Sequence, residues 1–564
     1  MSRVGARAPL RLGRCLAVFS IAIVLAPCGV SSAAGAAPAT DPPTVLRVDL
    51  PGTFDGCDPV GHGVSPETAQ LLSLVLPSAS TSTPSGTAAQ PDSFIVQAEV
   101  TSLQPLRIDY QLRKAAVWSD GRKVRIDDFV ATWRAGARGS GSAAAQYRTI
   151  RSIAQGANHL HVVVTMTRPT SSWHALFSPI IPATLSKNSA SQCTTPSAST
   201  DVAAGPYEIA QADHKKVILV ANPRWWGRQP AFASIILRGG VLPRQAVTRT
   251  PSTPWFTESS WMPSPALAQL TANPEASSIV DFSDQIVSLD FSMSRRLTSS
   301  TVVRRAISHL IDRRQVVAGS VAAINPMIAP SGSHLLSQGQ PSYTGPKAQP
   351  LAAGTTTTQG ASTERGLATG GRRAAGLFAQ VGIRKIDGRW TTRSGRPIML
   401  RLAVPVNDAW ALQIGNIVAD QLRVAGVSVT VHLAGSSVTI ANELRSGKTD
   451  IGLMVRPTDI YPAHSVSWFS TSRSSPKSPL WGGYQDRAIV ALAAQADTIL
   501  NPVDAQPLYR QIDDRLWATM PSLPLFTEPL VAGWSSSLNG VLTNPYPPGT
   551  LNGVPTWVHE SSTP

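Results

Sequence analysis

The chain has 564 residues, 42% of them hydrophobic and 15% charged, enough for two or three domains with substantial cores. Lys and Arg outnumber Asp and Glu by 49 to 34, giving a formal charge of +15. No basic run of five or six residues occurs, so a nucleic-acid stripe is excluded, while a dispersed positive excess suits residence beside an anionic membrane surface.

Residues 1–36 read as an export signal. Arg3, Arg7, Arg11 and Arg14 precede an apolar run from Leu16 to Ala26 that is too short to span a bilayer. Leu25-Ala26-Pro27-Cys28 resembles a lipoprotein cleavage box with Pro27 in place of the usual Gly or Ala, so lipidation at Cys28 is expected. Ala34-Gly35-Ala36 offers an ordinary A-x-A cut as the alternative. Residues 37–44 form a small-residue and proline tether. With Cys15 in the signal, Cys57 and Cys193 remain as an even pair in an oxidising compartment and are expected to form a disulfide.

Alternation predicts strands over Val45 to Leu50, Phe94 to Val100, Leu106 to Leu112, His159 to Thr167 and Lys216 to Val220. A helix is predicted over Ala69 to Leu76, and a loop over Ser78 to Asp92. Ser119-Asp120-Gly121 is a tight turn, and Asp127 and Asp128 sit where a helix begins, beside its positive dipole end. Phe129, Val130 and Trp133 give that helix an apolar face. Ile286 to Met293 reads as a strand. Val302 to Val317 reads as one helix with Val303, Ala306, Ile307 and Leu310 inward and Arg304, Arg305, Arg313 and Arg314 mostly off the stripe. Ser331 to Gly371 reads as a long surface loop.

The second half alternates. A strand over Pro397 to Val404, a helix over Trp410 to Val424 ended by Gly426, and a strand over Val427 to Leu433 make a βαβ unit with a parallel pair. Thr439 to Leu444 and Asp450 to Val455 repeat the pattern; Tyr509 to Trp517 is a further helix, and Pro524 to Phe526 and Val531 to Trp534 are strands.

Catalytic signatures are missing. There is no HExxH, GxSxG, GxGxxG or CxxC, and Gly447-Lys448-Thr449 lacks the earlier Gly of a P-loop, where Asn442 stands. His159 and His161 share a strand face without a nearby acid or Cys in the sequence. Neighbouring carboxylates such as Asp513 and Asp514 diverge around a helix and cannot act together as a hydrolase pair. The chain is therefore read as a binding protein, without metal or cofactor.

The wording of several blocks carries a resemblance. Trp118, Asp120, Gly121, Asp127, Asp128 and Phe129 match W-x-D-G…(D/E)-D-(V/F) of the peptide-type, family 5 extracellular solute-binding proteins of ABC importers. Asp58-Pro59, the Pro169 to Leu185 block, Ala204-Gly205-Pro206-Tyr207, Asn222 to Gly227 and the V-R-R-A-I block from Val303 resemble further blocks of that family, in order. The resemblance implies an α/β, bilobal, type II periplasmic-binding-protein-like fold of the three-subdomain peptide-binding kind, with a ligand cleft between lobes. It implies a first lobe over 45–285 with an inserted subdomain at about 60–195, a second lobe over 286–524, and a return to the first lobe over 525–564.

It also implies a site. Thr458-Asp459-Ile460-Tyr461-Pro462 and Trp468-Phe469 resemble the family loop whose Asp pairs with the ammonium of a bound peptide, so Asp459 is the expected clamp with Tyr461 and Trp468 nearby. Ile460 interrupts the family's D-Y pair. Asn407 and Trp410, at the strand-to-helix turn of the βαβ unit, sit where open α/β sheets bind ligands. The implied partner is an ABC permease, with the protein monomeric and lipid-anchored on the outer face of the cytoplasmic membrane. Leu72 to Ser80 and Asp127-Asp128-Phe129 also look like an actinobacterial lipoprotein of the same fold linked to phosphatidylinositol mannoside and lipomannan synthesis. That likeness implies instead a mannosylated phosphoinositide ligand or an envelope-synthesis enzyme as partner.

Overall fold

The computed structural model describes residues 44–56, 58–60, 64–89, 94–139, 142–185, 202–241, 245, 253–345, 361–406, 408–469 and 483–560. The expected export signal, Cys28, the Cys57–Cys193 pair and Asn407 lie outside the described residues. Residues Pro43–Pro564 form one compact unit.

Its framework is a ten-stranded mixed sheet. Across the sheet the strands run Ser428–Ala434, Met399–Pro405, Ile451–Pro457, Ala276–Phe291, Ser522–Ser535, Trp255–Ser259, Val45–Asp49, Ser234–Arg238, Lys216–Ala221 and Tyr207–Ala212. Met399–Pro405 is parallel to both its neighbours, as two successive βα units require. Ala276–Phe291 and Ser522–Ser535, with 16 and 14 residues, are the long central pair.

Those two strands join the halves of the sheet. Residues 276–282 pair with 529–535, residues 286–290 pair with 522–527, and the register breaks between Phe282 and Ile286. On the far side of the break Ile451–Pro457 pairs with residues 285–291 of the first strand. On the near side Trp255–Ser259 pairs with residues 531–534. Each half thus grips one end of the same hairpin-like pair, with a bulge at Ser283-Asp284-Gln285 between them. A bulge leaves residues unpaired, bends the strand and increases the local twist of the ladder. The strand at Ile286 therefore begins ten residues earlier than alternation alone predicts, and residues 524–534 are one strand, not two.

Each half has its own core. Phe291, Leu402, Ile414, Val418, Leu453 and Phe526 centre the second; Leu46, Val48, Tyr207, Leu237, Phe256 and Trp557 centre the first. A separate four-stranded antiparallel sheet, ordered Ile95–Leu103, Leu106–Leu112, His161–Met166, Ile150–Gln155, packs under the helix Ile126–Arg138. Its core is aromatic: Tyr110, Phe129 and Phe177 meet with ring centroids 4.7 to 5.6 Å apart. The Trp118–Asp128 block locks this subdomain. Asp128 Oδ2 accepts from Trp118 Nε1 at 3.2 Å and from Arg125 N at 2.9 Å, and its Oδ1 accepts from Ala183 N at 2.8 Å. Gly121 turns with φ +90°.

Several expectations change. The predicted helix Val302 to Val317 is two helices, Thr301–His309 and Arg313–Ser320, because the Asp312 side chain accepts from Arg314 N and Gln315 N and starts a new helix. Arg304 and Arg313 are not off the core: they are 2% and 4% exposed. Their guanidinium groups donate to backbone carbonyls, Arg304 to Met520 and Thr298, Arg313 to Ser331 and Pro524. Part of the expected loop at 331–371 is helix, Ala361–Gln380. The first helix is Pro66–Ser73, capped by Ser65, and the loop from Ser78 contains a two-residue hairpin at Thr81–Ser82 and Ala88–Ala89. His161 does have an acid beside it, Asp109 of the neighbouring strand, at 3.0 Å. Lys448 pairs with Glu443 at 2.6 Å, and Gly447 ends the helix Ser437–Ser446 in the left-handed region.

Candidate ligand cleft

The two sheet halves meet at the bulge, and buried carboxyls collect there. Asp284 sits in the bulge, Glu528 on the partner strand and Glu258 on the Trp255–Ser259 strand, each less than 9% exposed. Burial, then the nearby charges of Asp459 and Glu258, hold the Asp284 carboxyl well above the usual carboxylate range. Burial, then Asp408 and Asp284, push Glu528 up to about 8. Burial pushes Glu258 up to about 7, against the hydrogen bonds it accepts from Thr550 and Gln70. All the charged neighbours that act on these three groups are acids.

An aromatic wall flanks them. Trp261, just beyond the Trp255–Ser259 strand, stacks on Trp410 with centroids 6.4 Å apart and planes 18° apart, and Trp410 meets Phe526 at 5.9 Å. Trp410 opens the helix Ala409–Val424, which Asp408 caps by accepting from Ala411 N at 2.9 Å. The Trp410 Nε1 is buried and has no acceptor among the described residues.

The loop after Ile451–Pro457 closes the other side. Thr458 donates through N and Oγ1 to the Asp284 carbonyl, at 2.7 and 2.6 Å, which ties the loop to the bulge. Asp459 Oδ1 accepts from Tyr461 N at 3.0 Å, and Oδ2 pairs with His464 Nδ1. Burial alone would lower the His464 pKa; the Asp459 carboxylate overrides it and holds His464 above its ordinary value. The second ring nitrogen of His464 meets Gln146 Nε2, which also donates to Ser172. Tyr461 bonds to Ser80. The Asp459 carbonyl accepts from Gln340 Nε2 at 2.9 Å. Asp497 adds a second crossing, binding Arg168 at 2.6 Å and Thr170 Oγ1 at 2.8 Å. The four-stranded-sheet subdomain is thus in direct polar contact with the loop after Ile451–Pro457 and with Asp497.

Of the residues named from the sequence, Asp459 and Tyr461 share one end of this region and Trp410 stands on its aromatic wall. Trp468 is partly buried against the helical cluster of Val466, Phe469, Ile489 and Ile512. Sequence reasoning missed Glu258, Asp284, Trp261, His464 and Glu528. One signal was available: Glu258 and Glu528 are lone carboxylates inside otherwise uncharged strand runs, W-F-T-E-S and L-F-T-E-P-L-V, where burial is costly without a use.

Comparison with known proteins fits this geometry. The model of bacterial extracellular solute-binding proteins, family 5 Middle, matches residues 96–477. The chain is 25% identical over 414 residues to the probable monoacyl phosphatidylinositol tetramannoside-binding protein LpqW of Mycobacterium tuberculosis, a match covering 69% of this chain and 65% of that protein's length. It is 23% identical over 508 residues to the oligopeptide-binding protein OppA of Mycobacterium bovis, covering 84% of this chain and 78% of the relative. Among solved structures, the periplasmic EDTA-binding protein EppA superposes with a TM-score of 0.78 at 18% identity, over 92% of this chain and 97% of its own. These relatives are binding proteins, and the shared architecture is the type II, bilobal, mixed α/β fold with its ligand cleft between lobes. The chain belongs to the bacterial extracellular solute-binding proteins of family 5.

Proposed function

We propose that this protein captures an oligopeptide-like solute outside the cytoplasmic membrane and delivers it to an ABC permease. In this reading the lobes are residues 45–285 and 286–524, with 525–564 returning to the first, and closure traps the ligand over the bulge. Asp459 receives the ligand's ammonium, with His464 holding its carboxylate in place, and Tyr461, Trp261 and Trp410 stack on side chains. Trp468 acts from the rim, and Asn407 lines the turn before Trp410. Cys28 carries a lipid that keeps the protein at the membrane, and Cys57 pairs with Cys193. No catalytic step is assigned to any residue.

The carrying observation is the group of carboxyls at the cleft floor, Glu258, Asp284, Glu528 and Asp459, the first three buried and held above their usual range. Carboxyls raised in this way are largely protonated near neutral pH and ionise when a cation comes among them, so the group favours a cationic or neutral solute. One observation favours a second reading: the likeness to LpqW. There the ligand would be a mannosylated phosphoinositide, or the partner an envelope-synthesis enzyme.

Native mass spectrometry of the protein purified from its own host separates them. Released peptides are expected; a released mannosylated phosphoinositide would overturn the importer reading. In the peptide case Asp459→Ala weakens binding by about tenfold or more, the size of a lost charge-assisted contact. Unchanged peptide affinity in that variant would remove Asp459 from the site.

A further inference from the structure

A small antiparallel cap closes one end of the sheet's second half. The hairpin Arg384–Ile386 and Arg389–Thr391 continues through a Thr392–Arg396 turn to Pro397, which bridges back to Thr391. Trp390 anchors the cap: its ring lies 4.8 Å from Phe378, its Nε1 donates to the Ala425 carbonyl at 2.9 Å, and its N donates to Gly426 at 2.9 Å. Gly426 has φ +97°, and a Cβ there would lie 2.2 Å from the Gly388 carbonyl, so the hairpin tip rests tightly on the end of the Ala409–Val424 helix.

With Ile383, Trp390 and Ile398 turned inward, the outer surface is basic. Arg384, Lys385, Arg389, Arg393 and Arg396 are exposed, and Asp387 is the one acid between residues 384 and 398. The ion pairs among the described residues leave all five of these cations out. Ile386 on the hairpin, Met399 just after it and Val424 at the helix end are large apolar side chains in water, 54%, 67% and 80% exposed. An acidic polysaccharide would be met by the charges alone. The aliphatic side chains gain only where an apolar phase lies behind the anionic groups.

We propose that this cap is a membrane-docking face, in which the arginines meet anionic lipid head groups while Ile386, Met399 and Val424 enter the acyl boundary. Each basic side chain near such a surface strengthens binding severalfold, within a Debye length. The face lies at the sheet's second half and does not depend on what the cleft holds.

The test is flotation of the Pro43–Pro564 unit, which lacks the apolar export segment, with vesicles of phosphatidylglycerol and phosphatidylcholine or of phosphatidylcholine alone. Binding at least about tenfold stronger to the anionic vesicles is expected, falling as salt is raised. The triple variant R389E/R393E/R396E is expected to lose at least about tenfold in that binding. R393Q/R396Q, whose side chains lie outside the hairpin's paired strands, serves if the triple variant misfolds and is expected to lose severalfold. I386S/M399S should weaken vesicle binding severalfold at unchanged charge. No preference for anionic vesicles, or full binding by R393Q/R396Q, would overturn the proposal. So would full binding by I386S/M399S, and equal capture of heparin would then mark a general polyanion face.

Discussion

At the scale of the residue, the bulge carboxyls decide how the protein responds to pH. Glu528 is held at about 8 and Glu258 at about 7, both above the unfolded value near 4.5. A raised acid favours the folded state while protonated, so its stabilisation is complete below pH 4.5 and is lost as pH rises through 7 to 8. The unliganded protein should therefore melt at lower temperature at pH 8.5 than at pH 5.5, with a difference of roughly a few kcal/mol. Glu528→Gln, which stays neutral and keeps the shape, should flatten that slope in a series of thermal melts. A slope unchanged by the substitution would show that Glu528 ionises freely in the folded protein. Arg304 and Arg313 teach the converse lesson, since the apolar stripe around them was legible but their inward turn was not. They face the core because the end of the Pro502–Thr519 helix and the start of the Ser522–Ser535 strand present carbonyls that only a long cation reaches.

Among elements, helix starts and stops account for most of the differences from the sequence-based expectations. The run from Val302 to Val317 has a continuous helical period, yet the first helix ends at His309 and Asp312 caps the next. Asp312→Ala should cost about 1 kcal/mol, read as a shift in the urea midpoint at constant slope, as other capping residues do. The W-x-D-G…D-D-F block worked differently. It pointed to the family through residues that build a subdomain: Asp128 accepts from Trp118, Arg125 and Ala183 and never approaches the bulge carboxyls as a partner. The most readable motif in the chain is thus a folding device. The ligand cleft takes its residues from segments with little wording of their own.

For the whole molecule, the governing feature is that two strands, Ala276–Phe291 and Ser522–Ser535, serve both halves of one sheet. In the proposed reading closure rests on a few polar contacts: His464, in the loop tied to the bulge, with Gln146, and Asp497 with Arg168 and Thr170. Asp497→Ala should raise the radius of gyration of the unliganded protein in small-angle scattering while shifting its melting temperature little, because exposed ion pairs contribute about 0 to 1 kcal/mol. An unchanged radius would place the closing contacts elsewhere. Local pattern by itself determined the βαβ units, the D-G turn, the acid-led helix and the family, because each depends on neighbours within a few residues of one another. The union of the two halves into one sheet, the five-segment cleft and the inward arginines were decided only in three dimensions. Asp284, Glu528, Glu258, Trp261 and His464 come from positions up to 270 apart in number, and nothing local records that burial and mutual charge will act on them together.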